Sequence, residues 1–459
     1  MKNESSLLTY LQRIQLGTAL CLSLISAFSS VSYATQTSTA RVNPTERRFI
    51  HVQANDKFNR TQLTQLGMSI EAVVSDSVWG FATLKQLSTI QRSGFKVLGQ
   101  FPFETGRGGH EGILDFPPDD ARFHNYARLT KDLEALAKAN PDLMTVQSIG
   151  KSIEGRNIWA VHLNSDPNAL ATGSSQKPGI IFMGNHHARE HLSLEVPFLL
   201  IRYLLEHKQD PALSALLHSR DIWVIPMVNP DGAEYDIEKG KYRWWRKNRR
   251  DNQDGTFGVD LNRNYGYQWG TGGSDTDTSS EIYMGTEPFS EPETQAIRDF
   301  VKNHLNTRIL LSFHTFSELI LYPWGHTYDP VSKQKDADTY KKLAETMAQW
   351  NHYTPQQSSE LYIASGDTTD WSYGEYGIFS FTFELSPKGM FSGGFYPGAK
   401  VIDRVFQANL QPCLYLLQMA EDPYQALNPN TAPMNWLEHY ASPAAELSSS
   451  GNFLTNLRQ

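Results

Sequence analysis

Cysteine is nearly missing from this 459-residue chain, which holds only Cys21 and Cys413. Cys21 sits in an apolar N-terminal stretch that does not persist in the mature protein on the reading given below, so a disulfide framework is excluded. Cationic excess is missing as well: a formal net charge of −8 argues against a nucleic-acid or anionic-membrane binder. Beyond the N-terminal stretch no apolar run could span a bilayer. No internal repeat occurs, and the zinc-protease pattern HExxH is absent. What the chain does have is 40% hydrophobic and 12% aromatic residues, enough for a real core. Its length calls for two packed units plus accessory segments.

Residues 1–34 read as a secretory signal. Lys2 and Arg13 precede "IQLGTALCLSLISAFSSV", and the small residues Ser32 and Ala34 follow at signal-peptidase spacing. Leu20 stands where a lipoprotein signal needs a small residue. The mature protein is then expected in the periplasm or outside the cell, with no stable membrane insertion. Residues 35–107 alternate strand and helix patterns ("RFIHVQ", a helical stretch to Met68, "EAVVSDSVWGFATL", "KQLSTIQRSG", "FKVLGQF"), predicting a small α+β unit. "ETGRGGHEGILDFPPDD" is rich in glycine, proline and charge, so 108–120 is expected to be an exposed linker that proteases can reach.

From 121 to 421 the pattern becomes α/β. Leu129, Leu133 and Leu136 share one helical face, and "NIWAVHL", "GIIFMGN", "DIWVIPMVN", "RILLSFH" and "IFSFTFEL" read as strands. Wholly apolar strands of this kind predict a mixed, mostly parallel central sheet flanked by helices. Residues 422–459 lose periodicity and are expected to form a wrapped or loose tail. Cys413 reads as a buried thiol on the last helix.

The chemistry concentrates at strand ends. "GIIFMGN" runs into "HHAREH", which brings His186, His187, Glu190 and His191 together where open α/β sheets bind ligands. "RILLSFH" ends in His314, and the polar face of "IFSFTFEL" (Ser380, Thr382, Glu384) ends in a carboxylate. Two imidazoles and a carboxylate make a catalytic zinc set with one position left for water. His187 and Glu190, three apart, can face one ion, and His314 is the best-placed distant third ligand. His187 with His191 has helical i, i+4 spacing and His186 is adjacent, so spacing alone does not choose among the histidines. Farther on, "KYRWWRKNRR" packs six cations into residues 241–250. A solvated face or a phosphate patch explains its position poorly. Arginines that polarise a carbonyl, stabilise an oxyanion or grip a carboxylate would fit a zinc exopeptidase.

"GNHHAREH", "WWRKNRR", "GVDLNRNYG", "FHTFSELILYPWG", "LYIASGDTTDWSYG" and "FTFEL" occur in the order and approximate spacing of the zinc metallocarboxypeptidases of the carboxypeptidase A/B type. The resemblance covers roughly residues 120–420. It implies one Zn2+ per chain on His187, Glu190 and His314, with His186 and His191 flanking, and Asp260 holding the first histidine in its ligating tautomer. It implies Glu384 as general base and Arg246 as oxyanion donor. Asn262 and Arg263 would bind the substrate's terminal carboxylate, Tyr362 would close over it, and Arg189 would guide it from outside, a plain surface arginine being the alternative.

Thr369 and Asp367 fall at the base of the side-chain pocket. A-type enzymes carry an apolar residue at the position of Thr369 and B-type enzymes an acidic one. An acid at 367 instead is similar to bacterial carboxypeptidase T, which implies acceptance of hydrophobic and basic residues; a structural Asp is the other reading. Residues 35–107 sit where the family keeps its inhibitory propeptide, with Arg107 as a candidate activation site for a protease, and a permanent accessory domain as the alternative. The expected protein is a secreted, monomeric carboxypeptidase made as a zymogen and acting on peptide C-termini. The rival expectations are a peptidase for cell-wall peptides and a non-catalytic peptide-binding module.

Overall fold

The computed structural model describes residues 45–102, 115–431, 433 and 434, all within one compact unit, Pro44–Gln459. The expected signal peptide with Cys21, the activation site Arg107, and the tail beyond residue 434 lie outside the described residues.

Residues 45–102 hold four strands and two helices. Strands β1 (Arg47–Gln53), β2 (Ser69–Val74), β3 (Ser77–Thr83) and β4 (Val97–Pro102) form an antiparallel sheet in the order β2-β3-β1-β4. Alternation along β1 sends Ile50 and Val52 into a core with Leu63, Leu87 and Ile90 from the helices Lys57–Gln65 and Leu84–Arg92. Thr83 and Gln86 close a capping box at the start of the second helix.

The larger part is built on an eight-stranded sheet. Its strands are β5 (Met144–Lys151), β6 (Asn157–Leu163), β7 (Gly179–Gly184), β8 (Asp221–Ile225), β9 (Thr307–Thr315), β10 (Leu319–Tyr322), β11 (Thr354–Gln357) and β12 (Phe379–Leu385). Their order is β11-β10-β12-β9-β7-β8-β6-β5. The four central strands β12, β9, β7 and β8 are mutually parallel. β6 and β10 flank them antiparallel, so the expected mixed, mostly parallel sheet is found. β5, β10 and β11 were not foreseen: β5 and β11 are partly polar and part-exposed, and β10, though apolar, is only four residues long.

Apolar residues on both sides of the central strands make two cores. Ile180, Phe182, Val224, Leu311 and Phe313 face the helices Leu192–Glu206 and Ile402–Met419; Ile181, Met183, Trp223, Ile225 and Leu310 face the helix Pro292–Asn303. Each such fully buried side chain contributes about 1.5–3 kcal/mol, and together they hold the strand ends in place. Because β7, β9 and β12 run parallel, their carboxyl ends emerge on one crest.

The chain is anchored at two boundaries. At the end of the expected linker Pro118 and Asp119 are exposed, but Phe116 is buried against Phe123 and His191, and Asp120 accepts from Tyr242 Oη (2.6 Å) and Ala399 N (2.7 Å). One aromatic residue in a polar stretch was enough to anchor it. The start of the tail wraps onto the helix Gln334–Asn351, with Tyr424 Oη donating to Asp336 (2.7 Å).

Candidate active site

The turn after β7 is tightly braced. A side chain at Gly184 would meet Ser193 O at 2.1 Å, so only glycine lets the strand end approach the next helix. Asn185 adopts φ 57°, a left-handed conformation asparagine tolerates, and its Nδ2 donates to His187 O (3.1 Å). Ser193 Oγ accepts from Asn185 N (3.0 Å) and donates to Glu190 O (2.5 Å). Ala188 N donates to Arg246 O (2.9 Å), which ties the cationic segment to this turn.

His187, Glu190 and His314 converge. One donor atom from each lies within 4.8 Å of the others. His187 Nδ1 is 2.8 Å from Glu190 Oε1, His314 Nδ1 is 3.0 Å from Glu190 Oε2, and the two Nδ1 atoms are 3.2 Å apart. A tetrahedral zinc with bonds of about 2.1 Å places neighbouring donors about 3.4 Å apart, so the set fits that ion with little movement. Burial would raise the Glu190 carboxyl, but the two histidines, by charge and hydrogen bond, hold it well below the usual carboxylate range. His186 and His191 point elsewhere: His186 Nε2 meets Tyr265 Oη (2.9 Å), and His191 Nε2 meets Asp236 (2.8 Å).

Asp260, the cap of the short turn Leu261–Arg263, faces His187 Nε2 with Oδ1 (3.2 Å) while Oδ2 takes Arg246 Nε (3.0 Å) and Nη2 (2.9 Å). It is fully buried. Burial opposes its charge, yet Arg246, His187 and Arg263 outweigh this and keep it ionised far below the ordinary range. A carboxylate on Nε2 leaves His187 Nδ1 bare toward the ion position. Glu384 on β12 lies beside His314 on β9 in register. Burial and the Glu190 charge push Glu384 up to about 8; a divalent cation on Glu190 would bring opposite charge and pull it down.

His187, Glu190, Arg246 and Glu384 line one cavity of ≈ 280 Å³, together with Asn262, Arg263, Tyr362, Asp367 and Thr369. Burial pushes the Tyr362 hydroxyl up, partly offset by Arg263. Asp367 has a structural part: Oδ1 caps the helix Thr368–Tyr376 through Thr369 N and Asp370 N (2.9 Å each), while Oδ2 is shut from solvent without a partner. Burial and the charge of Asp370 push it up to about 7. Thr369 Oγ1 lies 2.8 Å from Thr382 Oγ1.

Arg189 is not a plain surface arginine. It has no solvent exposure and its Nη2 meets Glu71 Oε2 at 2.6 Å, with Glu281 Oε2 at 3.4 Å from Nη1 and Phe395 beneath its guanidinium at 4.3 Å. Glu281 also pairs with Arg47. Ile70, Glu71, Ala72 and Val73 of the small sheet form one wall of the cavity. Sequence reasoning missed this contribution of Glu71 and Glu281, as well as Ser312 and Thr368; an acid in a strand, "SIEAVV", was the one visible sign.

Residues 129–412 match the zinc carboxypeptidase family, peptidase M14, and the chain belongs to it. The zinc carboxypeptidase of Saccharothrix mutabilis subsp. capreolus is 34% identical over 396 residues, 82% of this chain and 88% of that protein. Carboxypeptidase A1 of Rattus norvegicus is 32% identical over 288 residues, 61% of this chain and 66% of that one. The fold is that of carboxypeptidase A from Helicoverpa armigera (TM-score 0.66, 23% identity, 84% of this chain and 99% of that one). The protein is thus a metallocarboxypeptidase, and zinc is the metal of its family. Among the described residues no helix is long and apolar enough to cross a membrane.

Proposed function

We propose that this chain is a secreted or periplasmic carboxypeptidase, made as a zymogen, that removes hydrophobic and basic residues from peptide C-termini with His187, Glu190 and His314 holding zinc. The observation that carries this reading is the convergence of that donor set beside one cavity, which His187, Glu190, Glu384, Arg246, Asn262 and Arg263 line.

When bound, zinc supplies Lewis acidity toward a water and the scissile carbonyl. Glu384 takes the water's proton and later gives it to the leaving amine. Arg246 keeps Nε and Nη2 on Asp260, which leaves Nη1 for the carbonyl oxygen as it gains negative charge. Asn262 and Arg263 take the terminal carboxylate, the guanidinium as a planar fork, and Tyr362 covers it. Arg263 is held for this by Gly273 O (2.8 Å) and Asn262 O (2.8 Å).

For specificity, the unpartnered Asp367 Oδ2 supports acceptance of a lysine or arginine end, and the threonines beside it leave room for apolar side chains. An acid at 367 rather than 369 is the pocket pattern that resembles carboxypeptidase T. For latency, the wall formed by 70–73 and the Glu71–Arg189 pair support the small unit as a propeptide closing the approach to the site, with Arg107 as the cleavage point.

The test is hydrolysis of N-blocked peptides by zinc-loaded, protease-treated protein. Release from a free C-terminus but not from its amide is expected. Equal cleavage of the amide removes the roles of Asn262 and Arg263. Preference for muropeptides moves the substrate to the cell wall, and no cleavage with zinc bound leaves a peptide-binding module.

A further inference from the structure

His186 has no role in the chemistry above, yet it is fully buried between the metal group and the carboxylate group. Its Nε2 is 3.1 Å from Thr368 Oγ1, and its Nδ1 is 3.4 Å from Ser312 Oγ, the weakest link of the set. Ser312 Oγ is in turn 3.2 Å from His314 Nε2. At the other end Asn262 Oδ1 accepts from both Thr368 N and Thr368 Oγ1, each at 3.0 Å. A continuous path thus joins a metal-facing imidazole to the amide at the carboxylate end of the cavity.

Elementary hydrogen-bond chemistry gives this path one direction. A backbone N–H can only donate, so the Asn262 atom facing Thr368 N is its oxygen, and the amide NH2 is turned the other way. Thr368 Oγ1, 3.0 Å from the same oxygen, spends its proton there and must accept from His186 Nε2–H, an N–H shared with Tyr265 Oη at 2.9 Å. His186 Nδ1 is then bare and accepts from Ser312 Oγ–H, so Ser312 Oγ accepts from His314 Nε2–H. That tautomer leaves His314 Nδ1 bare, and this is the atom facing His187 Nδ1 and Glu190. The opposite polarity would set two lone pairs against each other at 3.1 Å and place a proton on the ligating nitrogen.

We propose that His186 is a positioning residue: with Ser312 and Thr368 it forms a one-way donor chain that presents the bare Nδ1 of His314 to the metal and the amide NH2 of Asn262 to the substrate's terminal carboxylate. The proposal rests on the reading of Asn262 as a carboxylate-binding group. His186 thereby couples the two ends of the site without touching substrate.

The test uses the full-length, zinc-loaded chain, with calorimetric binding of N-acetyl-L-phenylalanine and of its amide, and zinc content measured for every variant. His186→Leu removes the donor to Thr368 Oγ1, loosens the hydroxyl that is one of the two donors on Asn262 Oδ1 while Thr368 N stays in place, and should weaken binding of the acid about tenfold, the worth of one hydrogen bond to a charged group. The amide's affinity should hardly move. His186→Gln, which keeps a donor near Nε2, should stay within threefold of wild type. Thr368→Val should match His186→Leu, Thr368→Ser should rescue, and the double variant His186→Leu/Thr368→Val should bind no more weakly than either single one. If His186→Leu does not fold, the Thr368→Val and Thr368→Ser pair decides alone. Unchanged acid affinity in His186→Leu or Thr368→Val, alongside a loss in Asn262→Ala, overturns the chain. Unchanged acid-over-amide preference in Asn262→Ala, or none in wild type, overturns instead the carboxylate-site reading beneath it.

Discussion

Replacing Glu71 by glutamine should unlatch the small unit from the catalytic crest. Arg189 has no solvent exposure, and its short contact is Glu71 Oε2 at 2.6 Å; the remaining carboxylate, Glu281, stands at 3.4 Å and is shared with Arg47. Taking one partner from a buried ion pair costs about 3–5 kcal/mol because the other charge stays desolvated. The glutamine carbonyl restores about 1 kcal/mol as a neutral acceptor. The docked state should therefore lose about 2–4 kcal/mol, a shift of about 30- to 800-fold in the docking equilibrium. The assay is hydrolysis of an N-blocked peptide by uncleaved, zinc-loaded protein, in which only undocked molecules act. A rise of about 30-fold or more over wild type is expected. A rise below threefold, with normal zinc content, refutes the latch and leaves the small unit an accessory domain.

Glu384→Gln should keep zinc and acid binding while turnover falls at least 100-fold, as expected for loss of a general base; activity within tenfold of wild type assigns the base elsewhere. Asp367→Asn should lower kcat/KM for C-terminal lysine and arginine about tenfold and leave leucine and phenylalanine within threefold, measured on matched peptides. A pH effect on stability is expected at His124. Burial opposes its charge, but Glu195, by charge and hydrogen bond, and Asp132 outweigh this and lift it to about 9 from 6.5. A raised value means stability that is complete below about pH 6.5 and is lost as pH climbs through 9. The thermal midpoint should fall by several degrees between pH 6.5 and 9.5 in wild type and by clearly less in His124→Gln.

Much of this architecture could be read from the chain alone, and the reason is periodicity. Strands such as "GIIFMGN" and "RILLSFH", apolar on both faces, have no exposed interpretation, and their ends delivered His187, Glu190 and His314 to one crest. The edge strand Thr354–Gln357 escaped because half-exposed polar residues leave no pattern. The choice of His187 over His186 and His191 also escaped spacing, since all three sit in one turn. Tertiary partners decide it: Tyr265 and Asp236 engage the two others. Arg189 was hardest of all to place, because its burial is created by Glu71, over a hundred residues away and across two sheets.

The side-by-side pairing of Glu384 with His314 on neighbouring parallel strands carries a further consequence. Side chains along β12 alternate between the crest cavity and the opposite core, so a slip of one residue would bring Phe383 or Leu385 opposite His314 and swing the acid into hydrocarbon. Acid and imidazole are spaced by the backbone ladder itself, not by any loop. Surface loops can therefore be lengthened, shortened or exchanged to change which peptides are admitted, while the distance between these two groups stays set by a rung of main-chain hydrogen bonds.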